Sequence, residues 1–143
     1  MLTYHQWDLI ADAYIPILAS FSLIILWCEA KQHGSKSTLQ SIFSVGLSIS
    51  FIYLMMFIDR ALELWPTFGL DYSTHTALAL VFVVFVGLRN IRFSVISVIS
   101  MLLYAGLMMY QAYHSLLDIL TTAFIVVPVI YWLQNTSLQT KKA

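Results

Sequence analysis

His75, His114 and Asp118 are the residues in this chain whose types and spacing suit chemistry. His114 and Asp118 stand four apart in His114-Ser115-Leu116-Leu117-Asp118, and on a helix residues i and i+4 share a face. A carboxylate so placed accepts a hydrogen bond from one imidazole nitrogen, fixes the tautomer and stabilises the imidazolium, leaving the second nitrogen free to attack or to take a proton. The spacing therefore predicts a nucleophilic His114 oriented by Asp118. His75, in Ser73-Thr74-His75-Thr76, would act as general acid towards a leaving oxygen, provided its helix delivers it to the same substrate atom. The same three side chains also make a candidate zinc set around an activated water, since catalytic zinc uses three protein ligands. Both readings are open at this point.

Such residues need elements to hold them, and composition determines the kind. Of 143 residues, 60% are hydrophobic and 10% charged, with zero formal net charge, whereas soluble domains carry roughly 25% charged residues. The mean hydropathy is +0.83. This balance argues against a soluble fold and gives no footing for a nucleic-acid partner. A helix spanning a bilayer needs about 20 mostly apolar residues, because the hydrocarbon is roughly 30 Å thick and each residue rises about 1.5 Å. Five such stretches fit, at about 9–29, 38–58, 72–88, 92–110 and 114–133. The runs are continuous instead of alternating, so they predict helices and not barrel strands. The expected fold is an all-α integral membrane protein, a single transmembrane helical domain over residues 1–143 built as a bundle of about five helices. No basic region precedes the first run, which predicts a retained helix instead of a cleaved signal peptide. Cys28 is the sole cysteine, so an intrachain disulfide is excluded.

Lys and Arg in short loops set orientation. With five crossings, the side shared by the N-terminus and the segments after the second and fourth helices holds only Arg60, while the other holds Lys31, Lys36, Arg89, Arg92, Lys141 and Lys142. The N-terminus is expected outside and the C-terminus in the cytoplasm. His75 and His114, opening the third and fifth helices, then lie at the outer face, the periplasmic side of a bacterial inner membrane. Asp8, Asp12, Asp59, Glu63, Asp71 and Asp118 gather towards the same face.

The segment 59–71 reads as an interfacial stretch in which Pro66 and Gly69 stop helix. Asp71 reads as a helix N-cap. Short loops at 89–92 and 111–113 make the last three helices antiparallel neighbours and pull His114 towards the end of the fourth. Asp12, four residues after Asp8, is a candidate to enter the pocket. His5 and His33 read as surface residues, and 134–143 as a frayed cytoplasmic tail.

Asp71-Tyr72-Ser73-Thr74-His75-Thr76 resembles the second signature of the type 2 phosphatidic acid phosphatase superfamily, usually written Ser-Gly-His-Thr, and the His114 to Asp118 segment resembles its third. The same pair recurs in the related sphingomyelin synthases. The resemblance covers roughly residues 59 to 133. It implies a phosphohistidine at His114, orientation by Asp118, leaving-group protonation by His75, and phosphate contacts from Ser73, Thr74 and Arg60. The first signature, a Lys and an Arg seven residues apart, is missing; the arginine expected six residues before the third-signature histidine is Met108, and the second-signature glycine is Thr74. Because Arg forks match phosphate oxygens, so few cations favour a phosphodiester or diphosphate-linked lipid over a multiply charged monoester.

The expected function is thus a lipid phosphatase or phosphotransferase at the outer face, with a lipid substrate, no cofactor and the bilayer as its surroundings. The short chain hints at a homodimer. A zinc-dependent membrane hydrolase on the same cluster, and a non-catalytic protein whose histidines bind a headgroup or a partner, are the competing expectations.

Overall fold

The structure, a computed structural model, describes residues 3–139; Lys141 and Lys142, counted above for sidedness, lie outside them. Every regular element among the described residues is helical. The first helical run, Tyr4–Leu62, is broken at Gly34, whose φ of 82° and ψ of 171° fall in a region open essentially to glycine alone. The chain reverses there. Glu29 accepts a hydrogen bond from the Ser41 hydroxyl at 3.0 Å, although twelve residues of continuous helix would separate them by about 18 Å. We therefore label residues 4–33 as α1 and 35–62 as α2. A single 3-10 turn, Pro66–Phe68, leads to α3 (Thr74–Gly87), α4 (Ile91–Tyr110) and α5 (Leu116–Gln139).

The expected boundaries need two corrections at α5. It starts at Leu116, not at His114, and it runs on to Gln139, into the segment read as a frayed tail, whose residues 140–143 lie outside the described ones. Gln134 is fully buried, and its amide donates to the Val81 carbonyl at 3.1 Å, docking the end of α5 on α3. A polar run at 134–139 hid this extension, since neither hydropathy nor charge marks it as packed.

Apolar on every side, α3 is a helix that must be buried all round. At 14 residues it spans about 21 Å, less than the bilayer hydrocarbon. It occupies the middle of the bundle, with Ala77, Ala79, Val81, Phe85 and Val86 fully enclosed. One cluster on it joins Ala11 and Leu18 of α1, Met101, Tyr104 and Met108 of α4 and Ile119 of α5. Another joins Ile52 of α2, Trp65, Tyr72 and Val126 and Ile130 of α5. Outer faces of the surrounding helices stay apolar and exposed, as at Ile17, Phe43, Leu103 and Phe124.

Three stretches, His5–Leu62 with its break at Gly34, Ile91–Tyr110 and Leu116–Gln139, are long and apolar enough to cross a membrane. That character fits an integral membrane protein, with lipid as the solvent for those outer faces.

Cross-links define two ends. Asp8 accepts from Gln111 and Tyr113, both at 2.7 Å, and Trp65 donates to Thr121 at 3.0 Å. Together these gather the start of α1, the segment after α2 and the junction of α4 with α5 at one end. At the other, Arg89 bridges to Glu29 at 3.3 Å and donates to Ser41 at 2.6 Å.

Candidate functional site

His114 is held between two consecutive capping motifs. At the end of α4 Ala112 takes a left-handed conformation (φ 57°), the Tyr113 N–H reaches back to the Met108 carbonyl and the Ala112 N–H to that of Met109, both at 3.1 Å. This is a Schellman stop, here built on alanine instead of glycine. Ser115 then opens α5: its hydroxyl accepts from the Asp118 N–H at 3.2 Å, and the Asp118 carboxylate accepts from the Ser115 N–H at 2.7 Å. The two bonds make a reciprocal capping box, and His114 is the one residue between the motifs.

Asp118 consequently does other work than the four-residue spacing predicts. Because α5 begins after His114, the two do not share a helical face. One Asp118 oxygen caps Ser115 and the other accepts the backbone N–H of Asp71 at 2.8 Å. That second bond, with the Ser73 N–H donating to Thr122 at 3.1 Å, sets the N-terminal end of α3 against that of α5. Two partially positive helix ends meet there, and the buried Asp118 carboxylate sits between them.

The acid in contact with His114 is Asp71. Its Oδ2 lies 3.5 Å from His114 Nδ1, and the two side chains are 69% and 10% exposed. Nδ1 itself has no hydrogen-bond partner, so this is a close electrostatic contact short of a formed hydrogen bond. Burial pushes His114 below its ordinary 6.5; Asp71 and Asp118 pull the other way, and His75 adds to the downward push. Through that interaction His75, exposed on the first turn of α3, belongs to the same neighbourhood.

The other expected residues divide. Ser73, not Asp71, is the N-cap of α3: its buried hydroxyl donates to Thr76 Oγ1 at 2.8 Å and accepts from the Thr76 N–H at 3.3 Å, so it is turned inward. Thr74, the first residue of α3, is half-buried. Arg60 is exposed in the last turn of α2, at the same end of the bundle as the histidines. Asp12 is exposed on α1 and interacts with Tyr104 of α4. Among the described residues no group of three or more His, Cys, Asp or Glu side chains is placed to hold a metal ion.

Asp71 and Ser115 were the residues whose part sequence reasoning missed. The signal for Ser115 was present, since Ser-Leu-Leu-Asp has the capping-box spacing. No local pattern links Asp71 to His114. No family model matches this chain, and no curated protein or solved structure matches it.

Proposed function

We propose that this chain is an integral-membrane lipid phosphatase or phosphotransferase acting at the membrane face that bears the N-terminal ends of α3 and α5. The observation that supports it most is the placing of His75 and His114 in one neighbourhood, with the His114 imidazole nine-tenths buried and its pKa pushed below 6.5. An imidazole neutral at pH 7 is a competent nucleophile. In this reading His114 attacks phosphorus through Nε2; the P–N bond forms, the ester P–O bond breaks, and imidazolium His75 gives its proton to the leaving oxygen. Water or a lipid hydroxyl then attacks the phosphohistidine, loses its proton to neutral His75, and the P–N bond breaks to regenerate both residues. Asp118 holds the His114-bearing turn through its caps. Arg60 brings a single cation to that end, and Thr74 a hydroxyl, which suits a phosphodiester or diphosphate-linked lipid.

In the same reading α1, α2, α4 and α5 cross the bilayer, and the shorter α3 runs in the same sense inside the bundle they form. Lys31, Lys36, Arg89 and Arg92 then mark the cytoplasmic side, and the histidines face the periplasm of a bacterial inner membrane. The use of both Asp118 oxygens as caps favours a second reading, a non-catalytic site for a lipid headgroup or a partner.

The test is an acid-sensitive phosphoenzyme, sought by rapid quench of purified protein turning over lipid labelled at its phosphorus. Label should appear on wild type and vanish in His114→Ala, together with phosphate release or headgroup transfer. Undiminished turnover in His114→Ala would leave the non-catalytic reading.

A further inference from the structure

We propose that Asp71, and not Asp118, is the carboxylate that orients His114. Both Asp118 oxygens are turned to backbone donors, Oδ1 to the Asp71 N–H and Oδ2 to the Ser115 N–H, and neither is bonded to the imidazole. His114 Nδ1 is buried without a hydrogen-bond partner, and the atom facing it at 3.5 Å is Asp71 Oδ2. A buried imidazole nitrogen left unpaired is costly, and a small rotation of the mostly exposed Asp71 side chain closes the contact to a hydrogen bond. The bond between Asp118 Oδ1 and the Asp71 N–H holds that side chain's backbone where the rotation succeeds. The two acids form a chain: Asp118 fixes the backbone of Asp71, and the carboxylate of Asp71 fixes the ring of His114.

An Nδ1–H directed at Asp71 puts the lone pair on Nε2, the tautomer a nucleophile at that nitrogen requires. As regards turnover, the inference rests on the phosphotransfer reading; as regards the pairing, it stands on geometry alone. The charged and titratable groups that act on His114 are Asp71 ahead of α3, His75 on α3 and Asp118 on α5. Asp71 is a positioning residue in this scheme.

The experiment follows the imidazole nitrogens of histidine-labelled full-length protein in detergent micelles by NMR, with the His114 signals assigned by their loss in His114→Gln. Wild type should show the Nδ1–H tautomer and a titration midpoint below 6.5. Asp71→Asn should lower that midpoint further, because the charge that raises it has gone, and should mix the tautomers; Asp71→Glu should restore both. Since the Asp71 carboxylate is 69% exposed and its backbone bond survives substitution, the thermal midpoint should stay at the wild-type value. An unchanged His114 titration in Asp71→Asn, or a tautomer lost only in Asp118→Asn, would overturn the assignment. If the protein is a phosphotransferase, kcat should fall roughly 10²-fold or more in Asp71→Asn, because the tautomer with the lone pair on Nε2 is no longer held. Should His114→Ala leave turnover intact while Asp71→Asn still moves the His114 midpoint, catalysis fails and the pairing holds.

Discussion

One residue separates the capping motif that ends α4 from the one that opens α5, and the physics of helix ends explains why it is rigid. The last carbonyls of α4 are satisfied by the N–H groups of Ala112 and Tyr113, and the first donors of α5 by Ser115 and Asp118, so His114 has no slack on either side. Asp118 carries most of this load, because its carboxylate accepts one N–H from its own helix start and one from the approach to α3. Asp118→Ala strands two backbone donors in part-buried bonds and should lower stability by about 2 kcal/mol, while Ser115→Ala, which loses a cap hydroxyl, should lose only about 1 kcal/mol. Unfolding of the two variants in the same detergent checks the order; a larger loss from Ser115→Ala would contradict the account. The three chemically able residues were legible in the sequence, but their partners were not. His114 and Asp118 at i and i+4 compete with Ser115 and Asp118 at the capping-box spacing, one residue later. The cap prevails because the orphan N–H groups of a helix start need an acceptor inside a low-dielectric bundle, whereas the imidazole finds another acid. Asp71 precedes His114 by 43 residues, and no periodicity can pair residues across a helix crossing.

At the level of elements, continuous apolar runs revealed the helical segments, because lipid admits only helices and closed barrels and barrel strands alternate. What joins those segments was less visible. Positive-inside counting reads Arg89 as a loop charge, yet it is packed on Phe85 with its guanidinium 3.5 Å from the ring centre and paired with Glu29, both side chains about 10% exposed. Sixty residues apart, the two lock the α1–α2 hairpin to the end of α3. Taking such charges out of water consumes most of what their attraction returns, so the pair need not add net stability. Breaking it is a different matter. Arg89→Met removes a cation paired with a mostly buried carboxylate and should cost about 3–5 kcal/mol, whereas Arg89→Met combined with Glu29→Met should recover most of that loss. A denaturant series on the single and double variants reads the difference. Equal instability of both would show that Arg89 acts through packing on Phe85 alone.

For the whole molecule, the arrangement of charge and apolar surface bears on how the bundle sits in its membrane. A central α3 enclosed by four lipid-facing helices leaves large apolar side chains such as Leu103 and Phe124 outermost, at 72% and 83% exposure, which lipid accepts and water would not. Sidedness then depends on the two ends. One carries the exposed Lys31, Lys36 and Arg92 near the Gly34 reversal and the α3–α4 turn; the other carries acids and Arg60. An excess of lysine and arginine holds its end in the cytoplasm during insertion, so the histidines are expected on the opposite face. Cys28, the native thiol, is first changed to serine, and single cysteines are then placed at two exposed positions, Lys36→Cys beside the Gly34 reversal and Phe68→Cys in the turn ahead of Asp71. A membrane-impermeant maleimide applied to intact cells should label the Phe68→Cys protein and spare the Lys36→Cys protein, with both labelled after the membrane is opened. The reverse pattern would turn the molecule over and put the histidine end in the cytoplasm. Labelling of both in sealed cells would mean that the Gly34 reversal does not reach the far side, so that the first 62 residues cannot form two full crossings.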